Sequence, residues 1–189
     1  MTPSGGHGPL SRDIDRILIG ERQIAERVRV LGEQIAADLT GSDGSLVIVA
    51  VLTGGLVFVA DLVRALPMRL RIGIAAVSSY PGRATKSRGP ELVGALPRDL
   101  AGRHVLLVDD ILDTGRTLAM LRAEVSKQGP ASVGTCVLVR KQKPEALAMP
   151  CEYVGFDIPD EFVVGYGLDY DDEYRNLPFI GTLRAEVRR

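Results

Sequence analysis

At 189 residues, 46% of them hydrophobic and 25% charged, the chain has the size and make-up of one globular domain with a substantial core. Its 23 Lys and Arg stand against 24 Asp and Glu, and a pI near 6.1 gives no electrostatic case for a nucleic-acid partner. No apolar run is long enough to span a bilayer and the opening MTPSGGHGPLSRD lacks the pattern of a secretory signal, so the expectation is a cytoplasmic protein with no membrane partner.

Residues 1–11, rich in Gly, Pro and Ser, read as a flexible tail ahead of a single domain at 12–189. IDRILIG, Ile14 to Gly20, suits a short edge strand. From Glu21 onward Ile24, Val28, Leu31, Ile35 and Leu39 recur at spacings of three and four, the pattern of an amphipathic helix, and Gly41 ends it. LVIVAVL, Leu46 to Leu52, is a continuous apolar strand; TGG follows, then a helix from about Leu56 to Leu66. LRIGIAAVSSY, Leu70 to Tyr80, reads as the next strand and the polar stretch 81–99 as a long loop or hairpin, a kind of segment that often serves as a lid.

Val105 begins another apolar strand, and Leu118, Leu121 and Val125 mark one face of the helix after it. Ala131 to Val139 is a further buried-type strand. The basic cluster behind it reads as a solvated turn at Arg140 and Lys143. Cys136 and Cys151 are too few and too unpatterned for a disulfide framework or a zinc site. His7 in the tail and His104 before a strand join no cluster, so catalysis is not expected to rest on histidine.

Between the strand and helix of 105–125 lies DDILDTGRT. Asp109 and Asp110 are expected to end the strand, Asp113 follows, and Thr114, Gly115 and Thr117 open the helix. A helix amino end offers unpaired N–H groups and partial positive charge, and with two hydroxyls and a glycine it can cradle a phosphate. The carboxylates suit hydroxyls or a hydrated divalent cation instead. A phosphorylated sugar satisfies both halves. TGG after Leu52 makes a second strand–glycine–helix junction, and in an open parallel sheet ligands collect at such carboxyl ends.

VLLVDDILDTGRT resembles the signature of the type I phosphoribosyltransferases, which bind 5-phosphoribosyl pyrophosphate (PRPP). FVVGYGLDY, within Tyr153 to Gly181, is similar to the corresponding string of the 6-oxopurine salvage members, and the matching stretches run from about Gly20 to Leu183. The resemblance implies an α/β fold of the type I phosphoribosyltransferase kind: a mostly parallel central sheet flanked by helices, with a small hood built from the terminal segments.

It also implies roles. Asp109 and Asp110 would hold the ribose hydroxyls, and the loop Asp113, Thr114, Gly115, Arg116 and Thr117 the 5-phosphate. Leu52, Thr53 and Gly54, with Arg175, would grip pyrophosphate, although many relatives carry lysine where Thr53 stands. Ser79 and Tyr80 would begin a mobile loop that closes over the site and excludes water. Lys141 would donate to the 6-oxo group of the purine and so reject adenine. Phe162 would stack on the ring, Val163 would offer backbone groups to its edge, and Asp169 would hold Mg2+ beside it, with Asp109 and Asp110 as further carboxylates. Asp113 would manage a ring proton as general acid or base. Taken alone, Phe162 reads as a core aromatic and Arg175 as a surface partner of Asp171, Asp172 or Glu173.

The implied activity is purine salvage: transfer of phosphoribose from PRPP to a 6-oxopurine, hypoxanthine or guanine, giving IMP or GMP and pyrophosphate, by a homodimer or homotetramer. The rivals are a xanthine-preferring enzyme and an RNA-binding regulator of the same fold, which would need a basic RNA face.

Overall fold

The computed structural model describes residues 9–41, 45–78 and 90–188. A 3-10 turn at Pro9–Arg12, overlapping the end of the stretch 1–11 read as tail, leads into β1 (Ile14–Ile19), which pairs antiparallel with β8 (Ile180–Leu183) as a two-stranded sheet. The larger sheet contains β2 (Leu46–Leu52), β3 (Leu70–Ser78), β4 (Glu91–Val93), β5 (His104–Leu112), β6 (Ser132–Lys141) and β7 (Tyr153–Ile158). Its spatial order is β4-β3-β2-β5-β6-β7. Every adjacent pair is parallel except β3 with β4, so the expected mostly parallel sheet is what forms.

The helices are α1 (Glu21–Asp38), α2 (Gly55–Ala65), α3 (Arg116–Ser126) and α4 (Pro144–Ala148). They lie on both faces of the sheet, which is why β2 and the Val105–Val108 part of β5 are unbroken apolar runs rather than alternating ones. On one face Ile48, Ala50, Leu106 and Val108 pack with Ile24, Leu31 and Ile35 of α1 and Phe58 and Leu62 of α2. On the other, Val47, Val49, Val105 and Leu107 pack with Leu118, Leu121 and Val125 of α3. Full burial of each such side chain contributes roughly 1.5–3 kcal/mol. A third cluster, with Ile14, Val164, Tyr174, Leu177, Phe179 and Leu183, ties the small sheet to the loop between β7 and β8.

Two strands outrun their sequence-based ends. β5 continues through Asp109 and Asp110 to Leu112, because Ile111 and Leu112 still pair with Val139 and Arg140 of β6 after the ladder to β2 has stopped at Val108. β6 reaches Lys141 because Arg140 and Lys141 pair with Asp157 and Ile158 of β7. Ser79 and Tyr80, the expected start of a mobile loop, lie outside the described residues.

This strand order fixes where a ligand can sit. From β2 the chain winds outward through α2 to β3, whereas from β5 it winds the opposite way through α3 to β6. The neighbours β2 and β5 therefore flank the switch point, and the loops leaving their carboxyl ends diverge to open a crevice. The loops are TGG and DTGRT.

Candidate active site

A cleft of about 1070 Å³ opens at that point, and it gathers Leu52, Thr53 and Gly54 from the end of β2, Asp109, Asp110, Asp113, Thr114, Gly115, Arg116 and Thr117 from β5 and its loop, Lys141 from β6, and Phe162, Val163, Asp169 and Arg175 from the segment between β7 and β8. All the described residues singled out from the sequence thus line one cavity, contributed by four separate stretches of chain. No helix among the described residues is long and apolar enough to cross a membrane.

The floor is acidic. Asp109 and Asp110 are both only 8% exposed, and the Asp109 carboxylate accepts a hydrogen bond from the Asp110 backbone N–H at 3.0 Å. Burial, reinforced by the adjacent Asp110 charge, holds the proton affinity of Asp109 well above the usual carboxylate range. Burial pushes Asp110 the same way, opposed by hydrogen bonding with Asp109, by the Ile111 backbone and by the Arg175 charge. Such a pair wants a cation or hydroxyl donors.

The same environment has a stability consequence. An acid whose proton affinity rises on folding stabilises the fold only below its ordinary titration range, and that contribution is lost as pH rises through its folded-state value. At neutral pH Asp109 is therefore a liability to the empty protein. Asp109→Asn should melt roughly 2–6 °C higher than the parent at pH 8, with the gap closing as the pH falls toward 4. Thermal melts at the two pH values check it.

Close approach explains the glycines. Gly54 lies so near Asp110 that a Cβ there would sit 1.9 Å from its Oδ2. Gly167, at φ +103, meets the other side of the same loop: a Cβ there would lie 2.2 Å from the Gly54 carbonyl oxygen. Gly115 caps α3 in the left-handed conformation, at φ 74, and accepts a hydrogen bond from the Ala119 N–H. That turn sets the start of α3, Gly115 to Leu118, in the lining of the cleft, and the first N–H groups of a helix have no partner within it. The Leu52–Thr53 peptide is cis.

The opposite wall is mixed. Phe162 is 43% exposed and meets Tyr170 edge-on with ring centroids 5.6 Å apart, so it is a presented aromatic face rather than the core residue its type alone suggests. Arg175 forms ion pairs with Asp169 at 2.9 Å and Asp172 at 2.8 Å and donates to the Gly167 carbonyl at 2.8 Å. The surface ion pair read from sequence is thus part of what exists, but with Asp169 added and facing the cleft. Tyr166, at φ 52, donates its hydroxyl to Asp61 of α2 and so pins this wall to the helix behind Gly54.

Lys141 is nearly buried, its side chain 13% exposed, with Nζ 3.1 Å from Asp160 and 3.7 Å from Asp113. Lys143 departs from its sequence reading. Rather than a solvated turn residue, it ion-pairs directly with Asp113, and that carboxylate holds its ammonium more firmly protonated than usual. Arg140 is likewise engaged, in a 2.7 Å ion pair with Asp157. Sequence reasoning missed Lys143 and Asp160; neither carries a local signal, since both depend on loops far apart in the chain. Cys136 is buried, Cys151 half-buried, and both are free thiols. His104 contacts the Ser132 hydroxyl, Nδ1 to Oγ 2.8 Å.

An acidic pair at a sheet switch point, a glycine-opened helix start beside it and a presented aromatic opposite are the parts of a phosphoribosyl transferase domain, and the sequence profile of the family so described matches residues 18–171. The hypoxanthine-guanine phosphoribosyltransferase of Mycobacterium tuberculosis is 42% identical over 181 residues, covering 93% of this chain and 89% of that protein. That of Streptococcus pneumoniae is 39% identical over 178 residues, covering 94% and 98%. Among solved structures, a hypoxanthine phosphoribosyltransferase from Staphylococcus aureus superposes with a TM-score of 0.89 at 36% identity, covering 98% of this chain and 100% of that one. The chain belongs to the phosphoribosyltransferase family, among its hypoxanthine-guanine members.

Proposed function

We propose that this protein transfers phosphoribose from PRPP to hypoxanthine or guanine, forming IMP or GMP and releasing pyrophosphate. The carrying observation is the convergence, in one cleft, of the buried Asp109–Asp110 pair, the helix-opening loop at 113–117 and the Phe162–Lys141 wall.

Each part has a task. The N–H groups and hydroxyls at Thr114–Thr117 hold the 5-phosphate, and the acidic pair accepts hydrogen bonds from the ribose hydroxyls. Gly54 and its neighbours present backbone to pyrophosphate, for which Thr53 needs no charge, and Arg175 reaches the same group by exchanging carboxylate partners for phosphate oxygens. Phe162 stacks on the purine, Val163 offers its backbone to the base's edge, and Lys141 meets the 6-oxo oxygen. As the bond to pyrophosphate loosens, the base nitrogen attacks the anomeric carbon, and Asp113 takes the surplus ring proton.

The donor set fits magnesium. Asp169 supplies hard oxygen on the cleft wall, the Asp109–Asp110 pair lies beneath, and magnesium usually takes one or two protein carboxylates and completes its shell with water and substrate phosphates. When bound it would offset the charge that builds on the departing pyrophosphate. Leu56 of α2 and Ile72 and Ile74 of β3 are each more than half exposed on the same side of the sheet, which supports a homodimer or homotetramer.

The test is a magnesium-dependent assay of PRPP consumption with hypoxanthine, guanine, xanthine and adenine offered singly. Turnover of hypoxanthine and guanine but not adenine is the expected outcome; PRPP binding with no turnover of any base would overturn the enzyme reading in favour of a regulator. In the same assay Lys141→Met should lower kcat/KM for hypoxanthine roughly 10–100-fold, the usual worth of one charge-assisted hydrogen bond, and narrow the margin over adenine.

A further inference from the structure

Four charged side chains alternate where Asp113 and Lys141 line the cleft, with Lys143 and Asp160 beside them. Asp113 Oδ1 contacts Lys143 and lies 3.7 Å from Lys141 Nζ. Across from it, Asp160 Oδ1 lies 3.1 Å from Lys141 Nζ and 3.8 Å from Lys143 Nζ. The two lysines are therefore not equivalent: Lys143 belongs to Asp113, and Lys141 leans to Asp160.

Their backbones account for the difference. Lys141 is the last residue of β6, held in register opposite Ile158. Lys143 caps α4, is followed by Pro144 at the first helical turn, and its N–H donates to the Lys141 carbonyl at 2.9 Å. This tight turn brings the second ammonium back beside the first. With side-chain exposure of 20%, against 45% for Asp113, Lys143 is sheltered enough for its pairing to outlast solvent competition better than an open surface pair would.

We propose that Lys143 is a positioning residue: by occupying the Asp113 carboxylate it keeps Lys141 from collapsing onto that carboxylate and leaves Lys141 free to meet the purine's 6-oxo group. This rests on the reading of Lys141 as the purine-facing cation. Asp160 is the parking place that Lys141 leaves when the base arrives, and a neutral residue at 143 would open a competing place on Asp113, already within 3.7 Å. The cost of that competition falls on base binding. It does not fall on PRPP, since the Thr114–Thr117 backbone and hydroxyls assigned to its 5-phosphate make no ion pair with either lysine.

Kinetics of Lys143→Met and Lys143→Arg, each in the parent and in the Lys141→Met background, test the idea at saturating PRPP and magnesium. The expected result is a rise in KM for hypoxanthine of about 5–20-fold in Lys143→Met, a PRPP KM within about twofold of the parent, and recovery of hypoxanthine KM in Lys143→Arg. In the Lys141→Met background the same replacement should add less than about twofold, because its route of action is gone. An unchanged hypoxanthine KM in Lys143→Met, or an equal effect in both backgrounds, overturns the inference. If Lys141→Met alone leaves hypoxanthine KM untouched, it is the purine-facing reading of Lys141 that fails, and the inference falls with it.

Discussion

Asp113→Asn should lower kcat by about 10²–10⁴-fold, the range that a positioned proton-transfer group contributes, while leaving the affinity for PRPP within a few-fold of the parent. Asn matches Asp in shape, so the turn from β5 into α3 persists, and the phosphate cradle at Thr114–Thr117 is built from backbone and hydroxyls that the change does not touch. The amide cannot take up the purine's ring proton. Single-turnover measurement at saturating PRPP and base separates the chemical step from product release. Loss of PRPP binding with normal turnover at saturation would reassign Asp113 from proton transfer to phosphate holding.

Gly167→Ala is the second large effect, and it acts through backbone. At φ +103 any L side chain is strained, and the added Cβ would lie 2.2 Å from the Gly54 carbonyl oxygen. Backbone atoms cannot rotate aside as a side-chain tip can. The two costs together come to roughly 3 kcal/mol or more, a drop of about 6–12 °C in Tm for a chain of this size, accompanied by a raised KM for PRPP as the Gly54 loop shifts. Gly102→Ala is the control, since Gly102 also has positive φ, +69, but open space where its Cβ would go. It should cost about 1–2 kcal/mol and leave PRPP affinity alone. Equal losses in the two variants would mean that contact with Gly54 is unimportant.

The parts of this architecture that the chain states locally were the parts visible in its sequence. β2 could be bounded from Leu46 to Leu52 because burial on both faces demands an uninterrupted apolar run, and the N-terminal face of α1 followed from the spacing of Ile24, Val28, Leu31 and Ile35, all buried. DDILDTGRT disclosed its chemistry because the carboxylates, the glycine and the hydroxyls are adjacent in sequence. The ends of β5 and β6 were not visible, since they are set by how far a neighbouring strand continues. Nor was the pairing of Lys143 with Asp113, which joins the cap of α4 to the loop after β5. The backbone path from Tyr166 to Tyr174, though the string FVVGYGLDY had marked the segment as functional, was opaque for another reason. Tyr166 and Tyr174 themselves adopt positive φ, which an aromatic residue type does not announce, and their hydroxyls, on Asp61 and Asp13, compensate from distant elements.

The pairing of Ile14 with Leu183, backed by the bridge between Val164 and Gly181, bears on biosynthesis. β1 is made before every strand of the larger sheet and has no partner until all of them have followed it. The six strands of the larger sheet and the loops at the ends of β2 and β5 are all made once β7 is complete, so they can begin to assemble first, with Val163, Tyr166, Leu168 and Ile180 joining their core afterwards. The segment carrying Phe162 and Asp169 can reach Asp61 of α2 through Tyr166, but the pairing of its Val164 with Gly181 waits until β8 arrives. A nascent chain stalled before Ile180–Leu183 would hold the sugar-phosphate half of the cleft with its base half incompletely secured, so competence to join the two substrates waits on a strand that closes the fold outside the cleft itself.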